Sequence, residues 1–428
     1  MAIIPQTNIF DNTPELDFLG DLERVKLILD NIDDRKILWA IRKSKHNNGR
    51  RDNSLEVMMN IYWAKIILQH PTMSSMLREL NRNSQLRKIC GINNEKVPSS
   101  HAMSRFSIKL KNQKFNMKEL FLSLRDTLIA EIPDFGQNQG VDGKYIDSFA
   151  TGENKKKKTD GRRDTDAKYG VKEKHIKALN GTTKINKEIH FGYRVHLMAD
   201  TKYELPTDYT VTTANISEKT ELKVMLQKTH NQEILKRCNF FSADKGYDSI
   251  NILETLEELN IKPIIDKRCM IKEEIQFKGN VYYNDMGEVF CYCNASGEKR
   301  SMAFDGYDKQ RDTLGYKCPA KAYGIECKGK EQCNINTKIR IKRNINKRIF
   351  TEVARSSYKW KDYYNKRTAI ERINSRIDNG YMFEKHTIRG IDKMETAVGM
   401  AFCIMLTIAI VNNRLGKQEK MRSLVSCA

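Results

Sequence analysis

Apolar residues recur at helical spacing through the first third of the chain and at strand spacing after it. Leu22, Val25, Ile28, Leu29 and Ile32 mark one amphipathic helix, and Leu55, Met58, Met59, Tyr62, Ile66 and Ile67 a more buried one. Thr72 is placed to cap a helix running through Leu80, and the segment Asn83 to Ile92 stops at Gly91. Another helix opens at Ser99 or Ser100, with Met103, Phe106 and Leu110 on one side and His101, Arg105 and Lys109 on another. Met117, Leu120, Leu124 and Leu128 then form a connecting helix that Pro133 ends. Residues 1–132 are therefore expected to be helical. They form either a helix-turn-helix-like DNA reader using Arg105 and Lys109 or a small bundle with a solvated basic face.

From Gly136 the texture changes to strands. The stretch from Gly140 to Phe149 is rich in β-formers and carries Asp142 in its middle. Glu153 to Lys187 has no period and reads as a mobile loop. Its cations Lys155, Lys156, Lys157, Lys158, Arg162 and Arg163 are either solvated or fold down on phosphates. Phe191 to Met198 alternates as a strand, with Glu204 to Thr213 as its hairpin partner and His196 as a satisfied strand histidine. A helix starts at Asn215-Ile-Ser-Glu218 and runs to about Arg237. The run Cys238 to Ala243 then ends at Asp244. Lys245-Gly246 turns the chain, and Asp248 or Ser249 caps a helix with Ile250, Leu253, Leu256 and Leu259 on its apolar stripe. A buried strand thus delivers a carboxylate at its C-terminal end, where α/β proteins place their chemistry. Ile261 to Ile265 is a further strand.

Residues 267–350 interrupt this rhythm with short β-like pieces, and residues 351–416 return to helix. The domain order expected is 1–132, a catalytic core over 133–266 and 351–416 split by the insertion 267–350, and a frayed tail 417–428. In the late helix, Tyr364, Arg367 and Glu371 fall within an arc of about 60° and share a face. The apolar run Ala397 to Val411 reaches only about 22 Å as a helix, short of a bilayer core, and is expected to be buried rather than to span a membrane.

Lys and Arg number 75 against 54 Asp and Glu, a net charge of +21, so a polyanion is the expected partner and nucleic acid its usual form. The first residues lack a basic n-region and a cleavage site, which points to a cytoplasmic, nucleoid-associated protein. Six of the 10 cysteines lie in the insertion, five of them from Cys291 to Cys333. No Cys-x-x-Cys pair exists, so unligated thiols are expected, with zinc at Cys318, Cys327 and Cys333 the lesser alternative. Two strand acids, Asp142 and Asp244, and one helix acid, Glu371, could converge if a sheet brings them together. Oxygen donors without a soft set favour two Mg²⁺ or Mn²⁺ ions, which suit in-line attack on a phosphodiester.

With these residues in view, the chain resembles the DDE transposases of bacterial insertion sequences. The matching motifs are Val141-Asp-Gly-Lys144, Ala243-Asp-Lys-Gly-Tyr-Asp248 and Tyr364-x2-Arg367-x3-Glu371. Gly192-Tyr-Arg-Val-His196 and Asn215-Ile-Ser-Glu218 are similar to recurrent segments of that family, and Leu77 to Leu110 to its helical N-terminal domain. The resemblance implies an α/β, RNase H-like mixed sheet flanked by helices, with a β-rich insertion before the last catalytic helix. It also implies that Asp142, Asp244 and Glu371 hold the metals, and that Tyr364 and Arg367 contact DNA near the transposon end. Implied partners are terminal inverted repeats, target DNA and further copies of the chain in a synaptic complex. Asp378 stands where the family signature usually closes with a lysine. The rival expectation is a non-catalytic DNA-binding protein, a repressor or domesticated derivative on the same scaffold. A general metal-dependent nuclease is a third.

Overall fold

The computed structural model describes residues 19–44, 53–93, 96–152, 164–177, 183–267, 273–331, 333, 335 and 338–423. Lys155 to Lys158, Arg162 and Arg163 lie outside them. The chain divides into two compact units. One comprises Met1–Phe121, Gly380–Thr387 and Thr396–Ala428, the other Leu122–Asn379 and Ile388–Glu395.

The first unit is helical. Its helices are α1 (Leu22–Asn31), α2 (Arg35–Lys43), α3 (Leu55–Ile67), α4 (Met73–Arg82), α5 (Ser84–Ile89) and α6 (Ser100–Lys111). Thr72 caps its helix as expected, its Oγ1 accepting the Ser75 N–H at 3.1 Å, and the helix expected to open at Ser99 or Ser100 is capped by Ser99 Oγ, which accepts that of Ala102 at 3.2 Å; Asn83 Oδ1, not foreseen as a cap, accepts that of Leu86 at 2.9 Å. Gly91 stops the chain at φ +83°, open to glycine without strain. Helix α2 was not anticipated, because its buried residues Ile37, Leu38 and Ile41 are few and hemmed by charge. On α6, Ala102, Met103, Phe106 and Leu110 are buried, Arg105 is exposed and Lys109 half-buried.

Helix α7 (Lys114–Glu131) carries the chain into the second unit, whose centre is a six-stranded sheet. Its strands are β1 (Asn138–Asp147), β2 (Lys168–Lys177), β3 (Thr183–Asp200), β4 (Leu205–Thr213), β5 (Phe240–Ala243) and β6 (Lys262–Ile265). β3 pairs antiparallel with β1, β2 and β4, whereas β5 runs parallel to both β1 and β6. Helices cover both faces, so the unit is the mixed, RNase H-like α/β core expected. Against one face pack α8 (Glu218–Gln227), α9 (Gln232–Lys236) and α10 (Ile250–Glu258), burying Val141, Met198, Leu222, Met225, Phe241, Leu253 and Leu256. Against the other pack α12 (Tyr358–Asn365) and α13 (Thr368–Ser375), with Trp360, Tyr363 and Tyr364 meeting Phe240, Ile264 and Val353.

The insertion holds two small antiparallel sheets. One joins β7 (Ile275–Lys278), β8 (Val281–Tyr283), β9 (Val289–Tyr292) and β10 (Lys299–Ser301). The other joins β11 (Ala303–Asp308), β12 (Thr313–Lys317) and β13 (Lys338–Lys342), with the short α11 (Pro319–Tyr323) between its last two strands.

Several expectations are corrected. Much of the stretch read as a loop, Glu153 to Lys187, is strand: β2 and the first half of β3 form a ladder pairing Tyr169 with Phe191 and Val171 with Ile189. Tyr169, Val171 and Ile189 are exposed, so the ribbon is held by ladder hydrogen bonds and cross-strand pairs and shows no buried stripe. The helix expected to reach Arg237 breaks after Gln227, where Lys228 is extended and buried Asn231 turns its amide to the Met225 carbonyl and to Asp208. Ser249 takes the N-cap position of α10 without a side-chain bond, while Asp248 instead grips Arg348 at 2.5 and 3.1 Å. The late helix is not continuous: it breaks between α12 and α13 and widens to a π-turn at Arg376–Gly380. The apolar run at 397–411 belongs to a 24-residue helix, α14 (Ile391–Arg414), long and apolar enough to cross a membrane but with 89% of its apolar window buried within the protein.

Candidate active site

Strand register decides which acids meet. β1 and β5 are parallel neighbours paired Gln139 to Phe241 and Gly140 to Ser242. Two residues further along each strand are Asp142 and Asp244, level with one another on strands about 4.8 Å apart. Alternation sets their direction. Val141, Phe241 and Ala243 point into the α8–α10 core. Gly140, Asp142 and Lys144 therefore face α12 and α13. A Cβ on Gly140 would stand 2.5 Å from Ile370 Cδ1 and 2.8 Å from Ser242 Oγ, so glycine lets α13 seat directly on β1.

That seating brings the late helix to Asp142. Asn374 Nδ2 donates to Asp142 Oδ2 at 3.0 Å. Arg367 is in electrostatic contact with Asp142 and bonds Glu371 Oε1 at 2.7 Å. Its guanidinium lies 5.7 Å from the ring of Tyr364, which itself stacks on Trp360 at 4.7 Å. Glu371 is therefore on the helix that meets Asp142, with its carboxylate held by Arg367 and about half exposed. Asp244 Oδ1 accepts the Gly246 N–H at 2.7 Å, which closes the turn Lys245–Tyr247.

A fourth acid stands here that the sequence reading had not assigned to the site. Glu218, at the start of α8, lies 3.4 Å from Arg194 and in electrostatic contact with both Asp142 and Asp244. Its Oε1 would be 2.5 Å from a Cβ on Gly143, and its Oε2 3.1 Å from one on Gly246. The two glycines of the Asp-Gly-Lys and Asp-Lys-Gly-Tyr motifs thus make room for this carboxylate. Arg194 is anchored by the Ile216 carbonyl at 3.1 Å and lies 4.0 Å from the Tyr145 ring. The signal was in the motifs Gly192-Tyr-Arg194 and Asn215-Ile-Ser-Glu218, whose charged members had no assigned partner.

Burial, and after it mutual repulsion, acts on these acids. Burial and the charge of Asp244 push Asp142 up to about 6, against the opposing pull of Arg367. Burial pushes Glu218 up to about 7, with Asp244 and Asp142 adding to it and Arg194 opposing. Buried Tyr247 is raised well above the ordinary tyrosine range by desolvation and by the same three carboxylates, and its hydroxyl has no hydrogen-bond partner in the protein. An oxygen-only donor set suits a hard divalent cation. Among the described residues, no three carboxylate, imidazole or thiol groups already stand as ready-made ligands of an ion.

Near this cluster Lys144 Nζ meets Asp378 Oδ2 at 2.5 Å, the π-turn having carried that acid over β1. His196, expected to be satisfied in its strand, bonds Thr212 Oγ1 at 2.8 Å through Nε2 while its buried Nδ1 has no partner in the protein, and burial lowers it to about 3.

Residues 165–407 match the family described as Transposase DDE domain, and residues 15–109 match a second, Transposase domain (DUF772). No curated protein matches. Among solved structures the chain is similar to a piggyBac transposase synaptic complex with hairpin DNA determined by cryo-EM. Identity is 12% with a TM-score of 0.34, covering 96% of this chain and 80% of that one.

Proposed function

The chain belongs to the Transposase DDE domain family, and from that membership we propose that it binds the terminal inverted repeats of an insertion sequence, cleaves there and joins the freed 3′-hydroxyl to target DNA. The observation that carries this reading is the β1–β5 register that sets Asp142 level with Asp244 beneath the helix of Glu371.

In this proposal Asp142, Asp244 and Glu371 hold two Mg²⁺ or Mn²⁺ ions, and Glu218 stands beside them. Bound divalent ions supply activation of a water or hydroxyl and relief of charge on the leaving oxygen. The chain's own groups do the rest. Asn374 fixes the Asp142 carboxylate through its amide, and Arg194 fixes Glu218. Arg367 offsets charge between Asp142 and Glu371, and its guanidinium would also suit a DNA phosphate at the same place. Tyr364, and the cations Arg105, Lys109, Lys155 to Lys158, Arg162 and Arg163, supply further contacts to the DNA backbone, so affinity falls steeply with salt. Several copies of the chain assemble on the paired ends.

The test is a Mg²⁺-dependent cleavage and joining assay on duplexes carrying the ends of the element, run beside a gel-shift assay. Asp142→Asn, Asp244→Asn and Glu371→Gln should each abolish cleavage and joining while the shift persists. Full activity in any of the three rejects the site. A wild-type shift without cleavage indicates a non-catalytic DNA-binding protein, and cleavage of unrelated DNA without joining a general nuclease.

A further inference from the structure

Five cysteines of the insertion, Cys291, Cys293, Cys318, Cys327 and Cys333, line one cavity of about 20 Å³. That is room for a single ion or water and too little for an organic ligand. They come from β9 and the turn after it, from the end of β12 and from the segment after α11, so folding rather than sequence spacing gathers them. All five are free thiols. Cys327 is in hydrogen-bond contact with Cys293, and Cys291 is in electrostatic contact with Cys318, Cys333 and Cys327.

The surroundings of Cys293 are those of a ligand sulfur. The Ser296 hydroxyl and the backbone N–H groups of Ser296, Ala295 and Gly329 are directed at it. Two tight turns present these donors, one closed by Gly297 N–H to the Cys293 carbonyl at 2.8 Å and one by Lys330 N–H to the Cys327 carbonyl at 3.2 Å. A Cβ on Gly329 would stand 3.1 Å from the Cys293 sulfur and 3.0 Å from the Ala295 nitrogen, so glycine is what lets the second turn close on the first. Arg300, paired with Glu298 at 2.8 Å, lies near Cys327 and Cys293. Cys238 and Cys403, by contrast, are buried outside this cavity.

We propose that the insertion is a structural zinc site in which the thiolates of Cys293, Cys318, Cys327 and Cys333 bind one Zn²⁺ ion, with Cys291 packed behind them. Four thiolates select zinc over hard cations. The sulfurs line the cavity without yet standing as ligands around a common centre, so binding draws them inward. The two small sheets share one modest core built on Val281, Val289, Leu314, Tyr316 and Ile341, to which a metal cross-link would add stability.

The full chain, purified without chelator, should carry about one zinc per molecule. Its cobalt-substituted form should show intense thiolate-to-metal charge-transfer absorption, which carboxylate ligands do not give. Cys293→Ser and Cys327→Ser should lose most of the zinc, and Cys403→Ser should keep it. An Asp142→Asn, Asp244→Asn double variant should also keep it, which separates this site from the proposed active site. Absence of zinc from the wild-type chain even after zinc is supplied, or a cobalt form without thiolate bands, overturns the proposal whether or not the variants fold. Full zinc retention by both cysteine variants overturns it equally.

Discussion

Lys144 on β1 and Asp378 in the π-turn form an ion pair at 2.5 Å, with side chains 15% and 20% exposed. The acid at the position where the family signature usually carries a lysine thus has a lysine of the Asp-Gly-Lys motif as its partner. Partly buried pairs lie between the small value of surface pairs and the larger cost of an orphaned buried charge. Asp378→Asn or Lys144→Met should therefore lower stability by about 1–3 kcal/mol, and Asp378→Lys by more, since it sets two cations together. The exchanged pair Lys144→Asp, Asp378→Lys should recover a large part of the loss. A denaturation double-mutant cycle measures this, and a coupling near zero would show that the two charges act independently.

The raised acids predict how stability follows pH. Asp142 and Glu218 titrate higher in the folded chain than in the unfolded one, so the folded state holds the extra protons. Their contribution is complete at acid pH. It is lost as pH rises from the ordinary carboxylate range through about 6 for Asp142 and about 7 for Glu218. In chelator the Tm should fall across that window. Divalent cations bind the ionised acids, so added Mg²⁺ should raise Tm more on the alkaline side of the window than on the acid side. The double variant Asp142→Asn, Glu218→Gln should flatten both effects, and a wild-type chain with no such slope would contradict the charge crowding described.

Much of this arrangement was legible in the chain. Apolar period and cap residues located α4 and α6, because Thr72 and Ser99 announce their helices locally, and Gly91 marked where the α5 segment stops. The strand ending at Asp244 was legible for the same reason, an apolar run closed by a turn. What stayed hidden depends on partners distant in sequence. The described apolar side chains of β2, Tyr169 and Val171, are exposed, so its strand character comes from pairing with β3. Glu218 lies far in sequence from both Asp142 and Asp244, and two glycines at other strand and turn positions make its space. The break between α12 and α13 has no proline or glycine to mark it, so a single-helix wheel through Tyr364, Arg367 and Glu371 was the natural reading.

Two glycines on β1 should respond differently to alanine. At Gly143 the added methyl meets Glu218 at Cγ, Cδ and Oε1, 2.5–2.9 Å away, a side chain that can turn aside by giving up Arg194, where a backbone atom could not. Gly143→Ala should therefore leave Tm nearly unchanged while lowering activity, by moving the fourth acid from Asp142 and Asp244. At Gly140 the methyl meets Ile370 and both the side chain and the backbone carbonyl of Ser242, at 3.2 Å for the latter. Gly140→Ala should lower Tm clearly, at a cost of about 1–3 kcal/mol for overpacking, as α13 lifts from the strand. Equal effects of the two on stability would mean that the carboxylate of Glu218 is not free to yield.

Arg125 offers a test of the scaffold away from the acids. It is 2% exposed, and its guanidinium donates to the Thr207 carbonyl at 3.3 Å, Asn231 Oδ1 at 3.2 Å and the His230 carbonyl at 2.9 Å. One side chain of α7 thereby ties the β4 strand to the turn between α8 and α9. Arg125→Met keeps most of the volume but leaves these acceptors without their donor inside the protein, which costs about 2–4 kcal/mol. The expected outcome is a marked fall in the denaturant midpoint. Activity per folded molecule should hold, because none of the three acceptors contacts Asp142, Asp244 or Glu371. A fall in activity with an unchanged midpoint would instead make Arg125 part of the DNA-processing machinery.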